Sequence, residues 1–100
     1  TSRKIYQREA QKLTREAYMR WVSLSKYFVK LLKRFFQTKS SFENLIIMGG
    51  QDYVFLSGAR KYASNQSKST FIVIPAVGHI CNIDSVNVFN NHVIQFLFDN

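Results

Sequence analysis

Leu45-Ile46-Ile47-Met48-Gly49-Gly50-Gln51-Asp52 is the stretch on which the reading of this chain turns. Four apolar residues run without alternation and then stop at paired glycines. Such a run suits a strand covered on both faces, as strands of parallel sheets are. A second run, Phe71-Ile72-Val73-Ile74, is rich in branched residues and ends at Pro75. The 22 residues between the two runs are enough for a helical crossover between parallel neighbours. Within them Phe55, Ala59, Tyr62 and Ala63 carry a short amphipathic helix that fades into Ser64-Asn65-Gln66-Ser67. Beyond Pro75, Asp84 or Ser85 can cap a last helix with Val86, Phe89, Val93, Phe96 and Leu97 as its apolar positions. Residues 42–100 thus predict an α/β unit of order β-α-β-α, with two adjacent parallel strands at about 45–48 and 71–74.

Toward the N-terminus the composition changes. Residues 1–39 hold eleven Lys or Arg against Glu9 and Glu16, a net of +9, whereas residues 40–100 sum to −1. This break sets a boundary between a basic segment, 1–41, and the α/β unit, 42–100. In the basic segment the apolar residues Tyr6, Ala10, Leu13, Ala17, Trp21, Leu24, Phe28, Leu31 and Phe35 recur in steps of three and four, the helical period. Lys4, Arg8, Lys12 and Arg15 follow two residues out of phase, on the opposite side. A single helix of about 35 residues would be roughly 50 Å long, well beyond the roughly 13 Å radius of gyration of a 100-residue globule. The segment is therefore expected to break near Ser23 and Ser25, or to pack on material outside these residues. Lys39-Ser40-Ser41 ends it.

If the two strands are parallel, their carboxyl ends share one sheet edge, where ligands of open α/β sheets bind. Asp52 follows the first strand and His79, in Ala76-Val77-Gly78-His79, follows the second. Neighbouring strands lie about 4.8 Å apart, so the two loops can bring carboxylate and imidazole together. An Asp holding the Nδ1 proton of a His leaves Nε2 free as a base, two-thirds of a nucleophile triad. Taken alone, Asp52 after Gly-Gly reads first as a turn residue, and His79 at the matching strand end reverses that order.

The ordered set Leu45 to Phe55, Gly78-His79, Phe89-Asn90 and Phe96-Leu97 resembles the C-terminal part of an α/β-hydrolase, of the esterase and lipase-like serine hydrolases. In that family the penultimate strand ends in a Gly-x-x-Asp turn carrying the triad acid, and the last strand ends in a Gly-His carrying the base. A C-terminal helix then covers the sheet. The resemblance implies Asp52 as acid and His79 as base, with a small ester-like substrate. It covers residues 42–100; residues 1–41 match only in place, where members often carry a helical cap. The implied fold is the C-terminal portion of an α/β-hydrolase, preceded by a long basic, cap-like helical segment.

The departure is equally clear. No Gly-x-Ser-x-Gly elbow exists among glycines 49, 50, 58 and 78. The family's order is nucleophile, acid, base, and the chain opens Thr1-Ser2-Arg3, so the nucleophile, whether Ser, Asp or Cys, and the oxyanion loop are expected upstream in the same protein. The chain by itself is expected to be inactive. Having lost strand neighbours, it is expected to self-associate.

Other features are assigned more modest roles. Cys81, two residues from His79, invites a Cys–His reading, but a buried thiol is the commoner fate. His92, in the last helix, is taken as structural or exposed. The Trp21, Phe28 and Phe35 stripe is a packing face before it is a substrate slot, and Val54 and Phe55 can border a pocket. A basic helix with interleaved aromatics also fits nucleic acid or an anionic membrane surface. With no nucleic-acid motif present, that reading stands second, and neither partner is expected. A 46% hydrophobic, 15% aromatic composition excludes intrinsic disorder. A single cysteine excludes a disulfide scaffold. No metal-ligand spacing or phosphate loop is present, so neither metal nor cofactor is expected. Without an 18-residue apolar run or a signal-peptide pattern, the expected setting is the cytoplasm.

Overall fold

In the computed structural model, which describes residues 1–99, seven elements follow one another. They are α1 (Ser2–Ala10), α2 (Arg15–Phe35), β1 (Asn44–Gly49), α3 (Leu56–Ser64), β2 (Ser69–Ile74), α4 (Cys81–Asp84) and α5 (Val86–Phe98). The chain divides into two compact units, with the boundary between Thr38 and Lys39.

The basic unit is helical, but its break lies at residues 11–14 and not near Ser23 and Ser25. Thr14 takes an extended conformation (φ −72°, ψ 158°) and its hydroxyl accepts the backbone N–H of Ala17 at 3.2 Å. That is an N-cap, and Glu16 in the first turn adds a favourable charge at the helix's positive end. Ser25 does not interrupt α2, because its hydroxyl donates to the Val22 carbonyl within the helix at 2.6 Å. The apolar period runs unbroken from Leu13 to Ala17 across the break, which is why periodicity alone hides it. No residue of α2 is buried. Lys33 and Arg34 in the last turn suit its negative end.

The second unit is mixed α/β, built on two parallel strands. Asn44 pairs with Ser69, and the register continues in step to Gly49 with Ile74. The ladder spans one residue before and after the first apolar run and two residues before the second. Parallel partners project side chains to the same face, so Leu45, Ile47, Thr70 and Ile72 share one side. There Leu45, Thr70 and Ile72 line a cavity of about 180 Å³ together with His92, Gln95 and Phe96 of α5. On the other side, the Arg60 guanidinium of α3 lies 5.3 Å from the centre of the Phe71 ring. Helices α3 and α5 therefore cover opposite faces of the strand pair. The burial is shallow: among the described residues, the buried apolar side chains are Ile74 and Cys81, at 2% and 5% exposure.

The last helix begins at Val86, with Ser85 at its N-cap position. Ser85 makes no side-chain cap bond there, at φ −138°, ψ 54°. The short α4, not foreseen in the sequence, supplies the turn before it, and Phe89 closes onto the Ser85 carbonyl at 2.9 Å. Phe89, His92, Val93 and Phe96 form the half-buried side of α5, whereas Val86 and Leu97 are exposed.

Candidate active site

The carboxyl ends of β1 and β2 are joined by backbone. Beyond β1, the Gly50 N–H donates to the Ile74 carbonyl at 2.8 Å and the Gln51 N–H to the Val77 carbonyl at 2.9 Å. This closeness needs glycine at 49: a β-carbon there would lie 2.0 Å from the Gly78 carbonyl oxygen and 2.5 Å from that of Val77. On the opposite side of the junction, Ala76 sits at φ 59°, the left-handed region that side chains disfavour. These constraints aim the two loops at each other.

Asp52 and His79 meet there. His79 Nδ1 lies 2.7 Å from Asp52 Oδ2. The second carboxylate oxygen, Oδ1, accepts the Phe55 backbone N–H at 3.0 Å. The turn reading and the triad reading of Asp52 are thus compatible, because each uses a different oxygen. Its side chain is only 3% exposed, while that of His79 is 65% exposed. The hydrogen bond from His79 holds the Asp52 carboxyl below its ordinary value. Backbone N–H groups of Phe55 and Val54 and the His79 charge act in the same direction, and burial opposes them. An ionised carboxylate can only accept, so the imidazole donates through Nδ1, and in its neutral form it then carries its lone pair on Nε2.

Phe55 holds this arrangement twice. Its backbone fixes the acid, and its ring packs against the imidazole with centroids 5.0 Å apart, tilted by 40°. Its position three residues after Asp52, the spacing at which an Asp side chain reaches a following N–H, was the signal available in the sequence. Gly49 is the other positioning residue missed there, although the Gly-Gly pair advertised a close backbone approach.

The remaining candidates lie apart from this chemistry. Cys81 is buried at the start of α4, and burial, with weaker contributions from the Asp52 and Asp84 charges, pushes its thiol up. That is opposite to what a thiolate nucleophile requires. His92 belongs to the face of α5 that meets the sheet. Val54 is exposed beside the turn. Among the described residues, no group of three His, Cys, Asp or Glu side chains could hold a metal ion. Comparison with family models, curated proteins and solved structures returns no match for this chain.

Proposed function

We propose that residues 39–100 are the acid- and base-bearing part of an α/β-hydrolase, a serine-type carboxylic ester hydrolase whose nucleophile lies outside these 100 residues. The observation that carries this reading is the 2.7 Å bond between a buried Asp52 and a solvent-facing His79, at adjacent carboxyl ends of parallel strands. A surface ion pair needs no such asymmetry. A triad does, since the acid must be held and the base must reach out.

In the proposed reaction Nε2 of His79 takes the proton of the nucleophile's hydroxyl as that oxygen attacks the ester carbonyl. The same proton passes to the departing alkoxide, giving the alcohol and an acyl-enzyme. Water then attacks the acyl carbon, with Nε2 taking its proton and returning one to the nucleophile oxygen as the acid is released. Asp52 keeps the imidazole in one tautomer and stabilises the cation formed in each half-reaction.

The test uses the longer polypeptide bearing the nucleophile, assayed with short-chain aryl esters and a fluorophosphonate probe. His79→Ala should abolish turnover and labelling, and His92→Ala should leave both near normal. The reverse pattern would reduce Gly78-His79 to a strand-end turn.

A further inference from the structure

Helix α2 carries a segregation of charge that the hydrolase reading does not use. At about 100° per residue, its six cations (Arg15, Arg20, Lys26, Lys30, Lys33 and Arg34) fall within an arc of roughly 140°. Glu16 is the only acid in the helix. Trp21, Leu24, Phe28, Leu31, Leu32 and Phe35 occupy an arc of roughly 100° on the opposite side. All six are open, between 48% and 62% exposed. The sequence had made this stripe a packing face and set membrane binding aside; the open face and the one-sided charge change that ranking.

We propose that α2 is an interfacial helix that lies on an anionic lipid surface. Its apolar arc would sit at the boundary of headgroups and acyl chains, with the cations reaching lipid phosphates and carboxylates. Arg20 stands beside Leu31 at one border of the arc, and Arg15 and Lys33 follow Val22 at the other, so long basic side chains flank the apolar face on both sides. Trp21 and Tyr18 add the amphipathic rings suited to this depth. No described helix is long and apolar enough to cross a membrane, which leaves the surface-lying mode.

Charge decides between occupants. A second copy seated on the apolar arc would leave both sets of cations facing outward with no counter-charge, whereas anionic lipid neutralises those that flank the arc. A nucleic acid seated on the cations would meet only Tyr27, which shares their arc and is 66% exposed, and would leave Trp21 and Phe28 in water on the far side. The proposal involves neither Asp52 nor His79, so it stands or fails independently of the hydrolase reading.

Trp21 is the chain's single tryptophan and reports directly. The 100-residue chain is mixed with phosphatidylcholine vesicles with and without phosphatidylserine, and with duplex DNA. Sedimentation and Trp21 emission are followed as salt is raised. The expected result is co-sedimentation with the phosphatidylserine vesicles, a blue shift of Trp21, and release by salt. Lys26→Glu with Lys33→Glu should weaken partition at least about 30-fold, taking roughly tenfold per 1.4 kcal/mol and about 1 kcal/mol per cation removed. Phe28→Ser should remove the blue shift, with circular dichroism verifying that the helix persists. Three outcomes would overturn the proposal: no binding to phosphatidylserine vesicles, tighter salt-sensitive binding to DNA with Trp21 unshifted, or a dimer that already shields Trp21 without lipid.

Discussion

Residues 1–38 and 39–100 both repeat apolar side chains at regular spacing, yet they treat them differently. In α2 the spacing produces an amphipathic face on which nothing is buried. In the second unit the two apolar runs pair with each other, and helices cover both faces. The pairing brings distant backbone together, and the polar pair Asp52 and His79 depends on that closeness. Spacing within one element is local information. A site of two side chains, 27 residues apart in the chain, needs a long-range ladder to hold it. The α/β unit cannot lose its ladder and keep such a site.

This contrast can be broken most directly through activity. In the nucleophile-bearing polypeptide, Asp52→Asn should lower kcat about 10⁴-fold, as loss of a triad acid does, with KM little changed. Thr14→Ala in the basic unit should leave kcat unaltered. Steady-state kinetics on the two variants would show whether chemistry is confined to the second unit.

Next in size is Gly49→Ala. A β-carbon 2.0 Å from a carbonyl oxygen cannot be accommodated without parting the two strand ends. We expect a loss of about 3 kcal/mol, read as an earlier urea midpoint. Helicity from residues 1–38 should persist through that transition. Loss of both signals together would show that the two units unfold as one.

Acid sharpens the comparison further, since each unit has a carboxyl held below its ordinary value. Glu9 is held by hydrogen bonds from Lys12 and Arg8 on an exposed helix, and Asp52 mainly by His79. A carboxyl with a lowered folded value binds fewer protons when folded. Its stabilising contribution is therefore complete above the ordinary value, 3.8 for Asp52, and fades as pH falls through the lower folded value. Denaturant midpoints measured through that acid range should fall for the second unit and flatten in Asp52→Asn. Glu9→Gln should change little, because exposed pairs contribute little.

A modest, local effect belongs to Thr14. Removing its cap with Thr14→Ala should cost about 1 kcal/mol of helix stability. Far-UV circular dichroism should register it as fraying at the start of α2, with His79 resonances unmoved.

Much of this was legible from the residues because the signals were local. Unbroken apolar runs marked both strands, and their separation marked the parallel crossover. Gly-x-x-Asp and Gly-His marked the two strand ends. The helix break was missed because a period of three and four steps is indifferent to a cap; only Thr14 ahead of Arg15-Glu16 betrayed it. Phe55 was read as a pocket border because its two contacts, one by backbone and one by ring, arise only when both loops are in place. The α4 turn has no apolar period of its own and left no trace. The face of α2 was legible only in part for another reason: an amphipathic pattern shows that a face wants cover and is silent on what supplies it.

The parallel ladder also acts as an assembly check. Slippage of β2 by one residue would carry His79 about 3.3 Å along the strand and turn every side chain of β2 to the other face. The backbone could still form a ladder, so strand content alone would not reveal the error. Nδ1 of His79 would no longer reach Asp52, and the downfield Nδ1 proton resonance expected of that hydrogen bond would be lost. A single proton resonance thus distinguishes a correctly registered sheet from a misfolded one of equal secondary structure.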